Sequence, residues 1–221
     1  MTIENLNSQE LESPIEVVFC CSIESEINRV KNTLKTLDWY KETGYKLEFI
    51  GLPKSIQQKV EKGEEITDDD IAEAVKEEFD SDANAEKIAS IEQWWNQIEE
   101  KFFENLKTLG LPVQEEYLVS ATKYGSGGSY HRPNSVKINV KSKIGSLVLP
   151  HEIVHLTIEH LIKEYKIDHW TKERIVDLTM NRFFPEKPKL QRDPENAEKI
   201  SEIFNTHFPD MNKIIKAVSK I

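Results

Sequence analysis

Residues 149 to 165 read LPHEIVHLTIEHLIKEY, an apolar helical pattern with two histidines and a glutamate set inside it. Leu149, Ile153, Leu156, the Leu161/Ile162 pair and Tyr165 recur at spacings of three to five residues, which predicts a substantially buried helix over 148–166. Burying ionisable groups without partners costs roughly 1–3 kcal/mol each or more. Whatever fold the chain adopts must therefore supply something for His151, Glu152 and His155 to bind. Four residues apart, the two histidines lie one turn from each other on the same face, and Glu152 sits about 100° round from His151. Two imidazoles so placed can grip one zinc ion, while the glutamate stands beside the pair as a general base for a water on that ion. The competing account is a packing helix whose histidines are satisfied by ordinary hydrogen bonds.

A catalytic zinc takes three protein ligands and keeps a position open for water. Glu173 and His169 are the candidates for the third, with Glu159 and His160 weaker, since His160 is five residues past His155 and turned from the metal face. The segment DHWTKERIVDLTMNRFFP restarts helical periodicity, with Thr171 expected as the N-cap and Pro185 marking the end. Glu173 and Asp177 then look the same way, so Glu173 can ligate while Asp177 accepts a proton from the outer nitrogen of a ligating histidine.

HEIVH followed by ERIVD resembles the gluzincin metallopeptidases, whose signature is HExxH with ExxxD on a later helix. The likeness covers roughly residues 117–184. It implies His151, His155 and Glu173 as ligands to one Zn2+ per chain, Glu152 as general base and Asp177 as the acid behind a ligand. It also implies a zincin-like core, an α+β fold with a mixed sheet packed against helices. The activity implied is hydrolysis of peptide or amide bonds by metal-activated water. Such enzymes bind a peptide or protein substrate along an antiparallel edge strand just before the active-site helix, and SVKINVK, residues 135–141, stands in that place with a free edge expected. No local motif fixes the oxyanion donor; Tyr130, His131 and Tyr165 are candidates by residue type alone. HEIVH with DHW is also similar to SprT-like metalloproteases, which would make His169 the third ligand and leave the Glu173/Asp177 pair without a role.

The remainder reads as support. IEVVFCCSI, residues 15–23, predicts a buried strand with one of Cys20 and Cys21 in the core, and adjacent cysteines in a strand point to opposite faces and form no ordinary disulfide. A helix follows to Gly44, with Ile27, Val30, Leu34 and Leu37 on one stripe; YKLEFIG, residues 45–51, predicts a second strand, and residues 55–63 a short helix. Thr67 and Asp70 are spaced as a capping box, with a break at 80–84. A longer helix carries Ile88, Ile91, Trp94, Trp95, Ile98, Phe102 and Leu106 to Gly110, its tryptophans core or seam residues. Runs 117–124 and 135–141 are extended, joined through GSGG as a wide hairpin turn; that glycine run lacks the GK[ST] of a phosphate loop. Apolar positions Ile200, Ile203, Phe204, Ile214, Ile215 and Val218 predict one or two C-terminal helices.

The expected organisation is a single domain over 1–221, with supporting strands and helices over 1–110, the catalytic core over 111–185 and C-terminal helices over 186–221. A net charge of -10 disfavours a nucleic-acid or anionic-membrane partner, and no apolar run reaches the length of a membrane span. The two cysteines and the acidic, polar start point to a reducing, cytoplasmic setting. Against the enzyme stands a non-enzymatic interaction protein with a structural metal or none.

Overall fold

The computed structural model describes residues 15–42, 50–141, 147–187 and 194–221. Its centre is a four-stranded mixed sheet of β1 (Glu16–Cys20), β2 (Glu116–Thr122), β3 (Gly128–His131) and β4 (Ser135–Asn139) in the order β1-β2-β4-β3. β1, β2 and β4 run parallel and β3 is antiparallel to β4. The long excursion from β1 to β2 contains α1 (Ile23–Lys35), α2 (Leu37–Glu42), α3 (Lys54–Lys62), α4 (Asp68–Glu78), α5 (Ser81–Trp95) and α6 (Glu99–Lys107). After β4 come α7 (Val148–Glu164), α8 (His169–Phe183), α9 (Ala197–His207) and α10 (Met211–Val218).

Alternation along β2 buries Tyr117, Val119 and Ala121 on one face, and β4 adds Val136 and Ile138. Against this face lies α7, buried on nearly every side, as its lack of a polar stripe requires. Trp95, Phe102, Phe103, Phe183 and Phe204 complete the main core, and a smaller cluster forms around Val30, Ile56, Val75 and Tyr124. Phe102 is fully buried and its ring meets those of Trp95, Phe103, Phe183 and Phe184. Phe102→Ala is expected to cost about 3–5 kcal/mol of stability, read as a shift of the denaturant midpoint without a change of slope.

Several local expectations hold. Thr67 and Asp70 form the capping box, Gly63 ends α3 in the left-handed region, Trp95 is buried with Trp94 packed beside it, and Ile200, Phe204, Ile214, Ile215 and Val218 are buried in α9 and α10. Others differ. The apolar stripe over 88–106 is interrupted at Asn96–Ile98, where Gln97 and Ile98 bond three residues back and separate α5 from α6. Thr36 likewise separates α1 from α2. Cys20 is exposed and Cys21 half-buried, so neither thiol enters the core. Most of the strand expected at 45–51 lies outside the described residues; Gly51 makes a single bridge to Gly125.

The largest difference concerns β2 and β4, which form no hairpin. They are parallel neighbours, and the glycine-serine run between them supplies β3, which occupies the other side of β4. Strand 135–141 therefore has no free edge, because both sides of β4 are already paired. Among the described residues that edge belongs to β3.

Candidate metal centre

α7 begins with Pro150 in its first turn, where a missing N–H costs nothing. It ends in a Schellman motif. Lys166 adopts φ 52°, the Ile167 N–H donates to the Ile162 carbonyl and the Lys166 N–H to the Lys163 carbonyl. The chain reverses at once into α8, whose N-cap is Asp168 rather than Thr171: its carboxylate accepts the Trp170 and Thr171 amides. This tight return lays Glu173 and Asp177, one turn apart, against His151 and His155. All but half-buried His151 are buried.

Three ligand atoms converge. His151 Nε2 and His155 Nε2 are 3.0 Å apart, and Glu173 Oε2 is 3.4 Å and 3.2 Å from them. Bonds of 2.0–2.1 Å in a tetrahedral site imply ligand separations of about 3.3 Å, so the donor set fits a divalent ion such as zinc. Among the described residues, these three make the cluster able to hold a metal. Burial pushes the His155 imidazole down to about 4, keeping it neutral as a ligand must be. Burial opposes ionisation of Glu173, yet the two imidazoles hold its carboxyl well below the usual range. Asp177 Oδ1 lies 3.9 Å from His151 Nδ1, while His155 Nδ1 is buried with no partner among the described residues.

Glu152 stands outside this cluster, and burial pushes its carboxyl up to about 7. The strand above it is fitted to that carboxylate. A Cβ on Gly128 would come within 2.5 Å of Glu152 Oε1 and 2.7 Å of both Glu152 Cγ and Val148 Cγ1. Gly128→Ala is thus expected to displace the carboxylate but leave the three ligands in place. Zinc bound per chain, read by elemental analysis, should stay unchanged.

Two residues on, Tyr130 faces the same helix and stacks on His155, with ring centroids 5.1 Å apart. Its hydroxyl donates to Glu159 Oε2 at 2.7 Å and accepts from Lys172 Nζ at 3.1 Å. The Asn139 N–H donates to the Gly127 carbonyl, extending the β3–β4 register by one pair. Antiparallel alternation then turns the N–H and C=O groups of Gly128 and Tyr130 to the outer edge. From α1, Arg29 fastens the loop into β3, donating to the Tyr124 and Ser126 carbonyls and to Ser129 Oγ. From α2, Tyr40 accepts from Ser126 Oγ and Trp39 meets the His169 ring edge-on.

The fold thus gathers His151, Glu152, His155, Glu173, Asp177 and Tyr130. It does not gather His131, which alternation turns to the opposite side of β3, or Tyr165, which caps α7 about 15 Å along the axis from His155. His169 faces the site from its edge, its Nδ1 3.7 Å from the second oxygen of Glu173, outside the ligand cluster. Glu159 serves Tyr130, and His160 lies outside the cluster found among the described residues. Sequence reasoning missed Gly128, Arg29 and Lys172. Only Gly128 leaves a trace in the sequence, in a glycine run shortly before the HExxH helix. No helix of the described residues is long and apolar enough to cross a membrane. Comparison with protein-family models, curated proteins and solved structures returned no match.

Proposed function

We propose that the protein is a gluzincin-type zinc peptidase, hydrolysing peptide or related amide bonds. One observation carries the reading: the His151/His155 pair is completed by Glu173 from a second helix, while Glu152 remains outside the ligand triangle. Three protein donors, with a fourth ionisable side chain beside them and not among them, support a site with an acid–base group next to the ion instead of a closed structural one.

An ion held by His151, His155 and Glu173 would lower the pKa of a bound water and polarise the scissile carbonyl. Glu152 takes the proton from the attacking water and returns it to the leaving amine, the task of a carboxylate that burial sets beside the ligand triangle. Asp177 orients His151. Tyr130 commits its hydroxyl to Glu159, so it acts as a wall that seats β3 and His155, and a bound ion would supply the positive charge that the developing oxyanion needs. An extended substrate adds to the outer edge of β3 through the backbone groups of Gly128 and Tyr130.

The test is cleavage of an unbiased peptide mixture by zinc-loaded protein, followed by mass spectrometry. Products that vanish with a chelator and return with zinc support the reading. A protein carrying one zinc per chain that cleaves nothing in the mixture removes peptidase activity from it.

A further inference from the structure

The two oxygens of Glu173 have different surroundings. Oε2 faces both histidine Nε2 atoms, whereas Oε1 faces Lys172 Nζ at 3.6 Å and His169 Nδ1 at 3.7 Å. The lysine is the better sheltered of the two, with 14% of its side chain exposed against 35% for His169, so solvent screens its charge less. It is also held from outside its own helix. Neighbours in sequence on a helix point about 100° apart and do not face each other. Lys172 reaches Glu173 with its ammonium seated on the Tyr130 hydroxyl, which Glu159 of α7 fixes in turn.

We propose that Lys172 is a positioning residue that holds the second oxygen of Glu173 away from the ligand triangle, so that this carboxylate ligates through Oε2 alone. The inference rests on the metal reading above. A carboxylate free to turn can bind an ion through both oxygens and occupy the position a catalytic site must leave to water. A sheltered cation 3.6 Å from Oε1 opposes that rotation, and the Glu159–Tyr130–Lys172 chain ties the edge strand to the ligand helix while doing so.

Cobalt(II), whose visible absorption reports coordination number, tests this without any measurement of activity. The wild-type protein loaded with one cobalt per chain is expected to give the strong visible band of a four-coordinate ion. In Lys172→Met the band should weaken as Glu173 becomes bidentate, with cobalt still bound. Lys172→Arg, which keeps the cation, should restore the wild-type spectrum. Tyr130→Phe, which removes only the seat, should move it the same way by less and serves if Lys172→Met fails to fold. A Lys172→Met spectrum superimposable on wild type at full cobalt occupancy, or an unmoved Tyr130→Phe spectrum where Lys172→Met does not fold, overturns the proposal alone. Wild-type protein that takes up no cobalt overturns the metal reading with it.

Discussion

Glu173→Ala protein, equilibrated with zinc and assayed by elemental analysis, is expected to lose its metal, while His169→Ala retains one zinc per chain. The reason is the position of the donor atoms. Glu173 Oε2 closes a triangle with the two imidazoles at separations a tetrahedral ion requires, and His169 meets only the far oxygen of that carboxylate. Loss of an outer partner of a ligand typically weakens metal binding about 10–100-fold; removal of a ligand should exceed that range. A fall of affinity below tenfold for Glu173→Ala would sink its assignment as a ligand. Loss of zinc chiefly from His169→Ala would move the site to the SprT-like arrangement, with α8 rotated from the position described here.

Glu152→Gln is expected to keep the metal and lose turnover by about 100- to 10,000-fold, the usual worth of a placed acid–base group. The same variant makes a second prediction in metal-free protein, where activity is not involved. Burial pushes Glu152 up from 4.5 to about 7 and His155 down from 6.5 to about 4. Between about pH 4.5 and 6.5 the folded pair therefore carries its proton on Glu152, and the unfolded pair carries one on His155. Both states bind the same number, so the pair adds no slope to stability against pH. Glutamine removes one side of that balance. His155, with a depressed folded value, then contributes stability that is full above about 6.5 and is lost as pH falls towards 4, by up to about 3 kcal/mol. Urea unfolding of the chelated proteins at several pH values would reveal it. A Glu152→Gln protein whose stability tracks wild type across that window would mean that burial does not shift the two groups in opposite directions.

The cluster able to hold a metal was legible because chemistry and periodicity agreed there. A buried helical stripe cannot carry His151, Glu152 and His155 without a reason, and four-residue spacing on a second helix aligned Glu173 with Asp177. Parallel and antiparallel pairing left no comparable trace. β3 is four residues long, half-exposed and built from Gly128, Ser129, Tyr130 and His131, so it lacks the apolar alternation that marks a strand. With β3 hidden, β4 took its place as the expected edge. The break at Asn96–Ile98 was invisible for the opposite reason, since apolar residues continue through it in phase. Asp168 and Thr171 were both good caps three residues apart, and only the geometry of the reversal after Lys166 selects the first. Arg29 and Lys172 are charged residues in amphipathic helices, and their engagement with the Gly-Ser loop and with Tyr130 depends on contacts between elements distant in sequence.

An open, three-ligand metal site beside the Glu152 carboxyl has a direct crystallographic signature. Anomalous X-ray diffraction at the zinc edge, from crystals grown with zinc, addresses it most directly. One peak per chain is expected, at about 2.0–2.1 Å from His151 Nε2, His155 Nε2 and Glu173 Oε2, with solvent in the remaining position and Glu152 unbound to the ion. No peak at that site, or a fourth protein ligand closing it, would rule that site out.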